Sequence, residues 1–125
     1  NHRQRAKQIL SFDNLKLGDK LFPTDIDAMI EWKGKGYIFI EVKYKDTKVK
    51  RGQKIALERL VKDTGQDNKE SLAIIAEHNV KNGDKDVDVG NCNIREIYYS
   101  DKKIWQNIHP KWNVEELVRH FIIQL

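Results

Sequence analysis

The chain has 125 residues, of which 39% are hydrophobic and 34% are charged, and its formal net charge is +4. This length predicts a single domain, residues 1–125, with one core and room for one site. No apolar stretch reaches the roughly 18 residues of a membrane-spanning helix and no leader pattern is visible, so we expect a cytoplasmic protein without a membrane partner. The single cysteine, Cys92, excludes an intrachain disulfide and a Cys-rich zinc site. The mildly basic charge favours a polyanionic partner without proving one.

The first half of the chain predicts a helix followed by a β-hairpin. Residues 3–10 suit a short N-terminal helix, and a loop or irregular strand punctuated by Gly18 and Pro23 follows. Polar and apolar residues alternate with period two over residues 26–32 and 37–44, which predicts two strands. The sequence KGKG between them is a hairpin signal.

The second half predicts two further strands between two helices. Residues 53–65 are amphipathic with helical spacing, and the continuous apolar run 71–77 is typical of a central strand covered on both faces. Residues 93–100 predict another strand, and Asn113 with Glu116 three positions later predicts a capped C-terminal helix. The fold class is therefore α/β, a small mixed β-sheet flanked by helices.

Charged residues within the predicted hairpin need a special explanation. Side chains alternate along a strand, so Glu41 and Lys43 share one face. If the hairpin loop has an odd number of residues, so that Trp32 lies opposite Gly36, Asp27 lies directly across from Glu41. Two carboxylates held about 5 Å apart repel each other unless something neutralises them, and a divalent cation would do so.

The combination resembles the PD-(D/E)XK nuclease superfamily. Acid-x-lysine triplets recur in this charged chain, but only Glu41-Val42-Lys43 lies in a long apolar strand with a second carboxylate on the preceding hairpin arm. The similarity covers roughly residues 1–77, and it implies the restriction-endonuclease-like α-β-β-β-α-β core, here with an extra strand and a C-terminal helix. Gln53 adds to it, because many members, including archaeal Holliday-junction resolvases and phage nucleases, open the next helix with glutamine.

The resemblance implies a metal-dependent nuclease that hydrolyses phosphodiester bonds of DNA, including branched or structured DNA. Asp27, Glu41 and the Val42 carbonyl would hold Mg²⁺ or Mn²⁺, because their oxygen atoms are the ligands that suit a hard cation. Lys43 would position the attacking water or offset charge at the phosphate, and Gln53 would orient a water or the substrate backbone. A basic rim suited to phosphates is formed by Lys45, Lys48, Lys50, Arg51 and Lys54.

Several alternatives stay open at this point. Pro23 does not directly precede an aspartate, so Asp25 competes with Asp27, although Asp27 leads more directly into the strand. Residues 3–10 contain no acidic residue, so the ligand that many members take from the first helix is absent or lies upstream. A cross-strand salt bridge is the structural alternative for the acidic pair and Lys43. A non-catalytic nucleic-acid-binding or assembly module is the functional alternative. A homodimer, as a resolvase would need, and the choice between DNA and RNA also stay open.

Overall fold

The computed structural model describes residues 8–16, 18, 23–81, 83, 85–107 and 111–125, and all structural statements concern these residues. They form a five-stranded sheet and two α-helices. In chain order the elements are β1 (Ala28–Trp32), β2 (Gly36–Tyr44), α1 (Arg51–Thr64), β3 (Glu70–His78), β4 (Asn93–Tyr99), β5 (Trp105–Gln106) and α2 (Val114–Ile123).

The sheet is mixed and follows the order of the chain, β1-β2-β3-β4-β5. β2 and β3 are parallel and are joined through α1, whereas every other neighbouring pair is antiparallel. The prediction of a small mixed sheet flanked by helices is confirmed. The parallel pair brings the carboxyl ends of β2 and β3 to the same edge of the sheet.

The loop between β1 and β2 has an odd number of residues, which is the condition for placing Asp27 across from Glu41. Trp32 lies opposite Gly36, and Lys35 N–H donates to the Trp32 carbonyl at 2.7 Å. The three-residue loop needs positive φ at its first two positions, 49° at Lys33 and 69° at Gly34, and glycine adopts this conformation without strain. The paired register ends with Ala28 opposite Ile40, so Asp27 comes next to the position of Glu41.

The core has two layers, one on each face of the sheet. On the α1 face, Phe39, Ala73 and Tyr98 pack with Leu57 and Val61 of the helix. The opposite face packs against α2 and contains Ile38, Ile40, Leu72, Ile74, Ala76, Ile97, Val114, Leu117 and Phe121. Residues 71–76 of β3 are buried throughout, which confirms the prediction of a central strand covered on both sides. Glu41 follows Phe39 by two positions and therefore belongs to the α1 face.

Helix boundaries follow the predicted capping signals. Asn113 Oδ1 accepts from Glu116 N–H at 2.8 Å, and Glu116 Oε1 accepts from Asn113 N–H at 3.0 Å, so the capping box is confirmed. α1 begins at Arg51, two residues before the predicted start, and no side-chain cap is found at Lys50. Gly65 ends the helix as predicted, its N–H donating to the Val61 carbonyl at 2.9 Å.

Other sequence predictions fall outside the described residues or differ from the structure. Residues 3–7 of the predicted helix at 3–10, and residues 17 and 19–22 of the predicted loop or irregular strand before Pro23, lie outside the described residues. The described residues 8–10 are not helical, and Asp13–Leu15 form a short 3-10 helix instead of a strand. Of the predicted α-β-β-β-α-β core, the described residues contain the elements β1-β2-α1-β3. The short β5 was not predicted. None of the helices in the described residues is both long and apolar enough to span a membrane.

Candidate metal centre

Glu41 is a buried carboxylate on an otherwise apolar strand. It is 5% exposed, and the strand residues on either side of it, Ile40 and Val42, belong to or pack against the core on the opposite face. Its Oε2 atom is fully buried and has no hydrogen-bond partner among the residues that the structure describes. Because an unsatisfied buried carboxylate oxygen costs free energy, this atom indicates a ligand rather than a stability role.

Asp27 lies immediately before β1, and its side chain continues the hydrogen bonding between the two hairpin strands by one residue. Its Oδ2 accepts a hydrogen bond from Val42 N–H at 2.7 Å, in place of a backbone acceptor from the neighbouring strand. In an antiparallel ladder the N–H and C=O of one residue point to the same neighbouring strand, so the Val42 carbonyl points to the edge of β2 where Asp27 lies. The candidate donors Asp27, Glu41 and Val42 are thus grouped at one end of the hairpin.

The environment of Glu41 disfavours its ionised form. Burial raises the pKa of the Glu41 carboxyl above its usual value, and the nearby charge of Asp27 raises this pKa further. Hydrogen bonding from Gln53 and the ammonium charge of Lys43 oppose the shift without cancelling it. A cation between the carboxylates would relieve both causes, because it neutralises their repulsion and compensates for lost hydration.

Gln53 connects α1 to the segment that leads into β1. It lies in the first turn of the helix, is half-buried, and its Nε2 donates to the Asp25 carbonyl at 3.2 Å. The same side chain lies close enough to Glu41 to oppose the rise in the pKa of its carboxyl. The contact found for Asp25 is through its backbone, whereas the contact of Asp27 is through its carboxylate beside Glu41. The geometry therefore favours Asp27 over Asp25 as the second carboxylate of the site.

Lys43 lies next to Glu41 on the same strand face. Its Nζ is 3.3 Å from Glu41 Oε1, and its side chain is 23% exposed, so the ammonium reaches both the carboxylate and solvent. Lys43 is also the register partner of Glu77 on β3, which places a further carboxylate on the same face. Asp27, Lys43 and Gln53 are therefore grouped around Glu41.

The predicted basic rim is only partly available to a ligand. The exposed members are Lys45, Lys48 and Lys50 in the connection from β2 to α1, and Arg51 at the start of α1. Lys54 is different, because its Nζ lies 2.6 Å from Glu96 Oε2 and 5.0 Å from the centre of the Trp105 ring. Its charge is already used within the fold, so the structure separates Lys54 from the rim.

Arg95 is a neighbouring residue that the sequence did not reveal. It donates from Nε to Glu77 Oε1 at 2.9 Å, and from Nη1 to the Thr47 carbonyl at 2.6 Å. A register shift opposite Ile75 and Ala76 accommodates Arg95 as an extra residue in β4. Arg95 thus ties the start of the β2–α1 connection to the central sheet. Its partners are far away in sequence, so a local pattern does not identify it.

The donor set fits a hard divalent cation but is small. Within the described parts of the chain, no three His, Cys, Asp or Glu side chains come together as a metal site. The donors are two carboxylates and a main-chain carbonyl, and Mg²⁺ commonly takes one or two carboxylates while retaining waters. The unpartnered Glu41 Oε2 is the structural observation that supports the fit.

Comparisons with models of protein families, with curated proteins and with solved structures find no match. The resemblance to the PD-(D/E)XK superfamily therefore stays a prediction from this chain's own residues.

Proposed function

We propose that the protein is a metal-dependent nuclease that hydrolyses phosphodiester bonds of DNA, with a site of the PD-(D/E)XK type. The observation that carries the proposal is the buried Glu41 carboxylate, whose Oε2 lacks a partner among the described residues and whose neighbours include Asp27 and Lys43. A fold does not keep such an energetically unfavourable group for stability, and perturbed carboxyls in polar clusters are typical of functional sites.

The proposed roles follow from the chemistry of the donors. Asp27, Glu41 and the Val42 carbonyl would hold Mg²⁺ or Mn²⁺. When bound, such a cation lowers the pKa of a coordinated water and stabilises negative charge on the phosphate. The chain itself supplies the orientation of the ligands, since the bond from Val42 N–H fixes the carboxylate of Asp27.

Lys43 and Gln53 would act on the substrate and water. The Lys43 ammonium is a compact donor that can bind a non-bridging phosphate oxygen, where its charge has most effect as negative charge develops. The Gln53 amide can both donate and accept, so it can hold a water at a fixed position beside Glu41. The exposed cations of the rim would bind flanking phosphates without reading sequence.

A non-catalytic nucleic-acid-binding or assembly module is the second candidate. It is favoured by the Glu41–Lys43 ion pair, which would account for both charges without a cation, and by the small number of side-chain donors in the described residues. This reading leaves the buried Glu41 Oε2 unexplained.

A substrate panel separates the two candidates. Labelled single-stranded, linear duplex, flap and four-way-junction DNA, and a single-stranded RNA, are incubated with the protein in Mg²⁺, Mn²⁺ or EDTA. We expect metal-dependent cleavage of at least one DNA, and loss of it in Glu41→Gln. Binding without cleavage of any substrate would favour the non-catalytic module. Preferential cleavage of RNA would keep the mechanism and change the substrate class.

A further inference from the structure

A polar pocket lies where the parallel strands β2 and β3 end. Its volume is about 480 Å³, which is within the range of small-ligand sites. Lys45 lies on the β2 side of the pocket, His78 and Asn79 on the β3 side, and Asn93 at the start of β4. In open α/β sheets, ligands bind at the carboxyl ends of the strands, which is the location of this pocket.

The walls offer paired donors and acceptors. Asn79 and Asn93 are exposed, and each amide carries an acceptor oxygen and two N–H donors. His78 Nδ1 accepts from Val80 N–H at 3.1 Å, so the neutral imidazole carries its proton on Nε2 and has a donor left. The His78 ring meets the half-exposed Tyr44 ring edge-on, with centroids 5.5 Å apart. Amide donors and acceptors together with the His78 ring in the lining can complement the edge and face of a nucleobase.

The pocket adjoins the candidate metal centre at Glu77. Glu77 forms part of its wall and is the register partner of Lys43 in the adjacent strand, about 4.8 Å away across the sheet. Lys45 follows Lys43 by two residues, and its N–H donates to the His78 carbonyl at 2.7 Å. A phosphate at Lys43 would therefore have its neighbouring nucleotide at the mouth of the pocket.

We propose that this pocket receives one unpaired nucleobase next to the bond that is cleaved, so that the substrate is single-stranded or carries an unpaired nucleotide at a branch. The inference depends on the proposed nuclease function for its position in the substrate. A base enters such a pocket only when it is out of the stack, and this requirement costs least in single strands and branches.

The first test couples pocket residues to one base of the substrate. Single-turnover cleavage is measured on oligonucleotides that carry an abasic residue at each position flanking the cleaved bond. For the wild type, one abasic position lowers the rate by about tenfold, the size of a lost base contact. In Asn79→Ala/Asn93→Ala this penalty disappears, whereas Asn107→Ala, an exposed asparagine outside the pocket, retains it. No abasic penalty, or the same penalty in the double variant, would overturn the proposal.

The second test does not need cleavage, so it separates failure of the pocket from failure of the nuclease function. In EDTA, the side-chain amide resonances of Asn79 and Asn93 are followed while a single-stranded oligonucleotide or its abasic form is added. The proposal requires shifts with the normal strand that are lost or weakened with the abasic strand. Equal shifts with both strands, or no shifts, would overturn it. Saturation by free nucleoside monophosphate alone, with no effect from the strand, would show a site for free nucleotides and would also overturn it.

Discussion

The buried Glu41 carboxylate lowers the stability of the metal-free protein, but the proposed chemistry needs it as a metal ligand. Its carboxyl has a raised pKa because it is buried and faces the charge of Asp27. The folded protein therefore holds this proton more tightly than the unfolded chain, whose reference pKa is 4.5. As pH rises from 4.5 through the folded value, the folded state has to ionise an unfavourable carboxylate, and the free energy of unfolding falls. A cation at the site would remove this penalty.

Glu41→Gln is expected to raise the free energy of unfolding of the metal-free protein at pH 8, and to raise it less at pH 4. The neutral amide does not have to ionise, so the pH-dependent penalty is absent from the variant. Urea unfolding of both proteins in EDTA at the two pH values measures the difference. A variant that is less stable than wild type at pH 8 would show that the Lys43 ion pair outweighs burial and repulsion.

Lys43→Ala is expected to separate binding from chemistry. The carboxylate donors and the exposed rim remain, so the fold, metal binding and most DNA affinity should persist. Loss of a group that acts mainly on the transition state typically lowers the rate by about 100-fold or more. Single-turnover cleavage, metal titration and DNA affinity are measured on the same preparation. Near-normal cleavage would contradict the role of Lys43 and support a purely structural ion pair.

Asp27→Asn is expected to abolish stabilisation by metal while keeping the fold. The Asn oxygen can still accept from Val42 N–H, but it lacks the ligand charge. Mg²⁺ at ten times its Kd would stabilise wild type by about 1.4 kcal/mol, a shift of several degrees in Tm. Asp25→Asn is the matched control and should respond as wild type does. The reverse result, loss in Asp25→Asn alone, would move the ligand to Asp25.

At the scale of elements, the connection between β2 and α1 carries the exposed lysines of the predicted basic rim. Lys48→Gln and Lys50→Gln should each lower the slope of log K against log salt for DNA binding by about 0.7 to 0.9. Lys54→Gln should leave this slope unchanged and lower the free energy of unfolding by about 1 kcal/mol, since it leaves Glu96 without its ion-pair partner. Binding at several salt concentrations, with urea unfolding, checks both effects. A reduced slope in Lys54→Gln would return this residue to the rim.

Local patterns predicted the elements whose boundaries depend on local chemistry. The start of α2 follows from the Asn113 capping box, whereas the odd number of residues in the hairpin loop was a condition that the structure meets. The grouping of the candidate site residues followed from strand parity. β5 has two residues, too few for a periodic signal, and it exists because it pairs with β4. The contacts of Arg95 depend on a bulge and on partners far away in sequence, which periodicity does not reveal.

For the whole molecule, the parallel β2–β3 pair explains why Lys43, Glu77 and the pocket lie at the same edge of the sheet. Both strands end there, so Glu41 and Lys43 of β2 and Glu77 of β3 lie close to the pocket and to the basic connection. The opposite ends of the same strands contain residues packed in the apolar core, including Ile38 and Leu72. The net charge of +4 suits a polyanionic partner.

The most direct test of the central claim is the Mg²⁺ dependence of DNA cleavage by wild type, Glu41→Gln and Asp63→Asn, an exposed acid on α1 away from the candidate site. The rate under single-turnover conditions is measured from EDTA through millimolar Mg²⁺ on the best substrate of the panel. We predict cleavage that requires Mg²⁺ in wild type and Asp63→Asn, and a rate at least about 100-fold lower in Glu41→Gln. Cleavage that persists in EDTA, that is unchanged in Glu41→Gln, or that is absent from wild type at every Mg²⁺ concentration would contradict the claim.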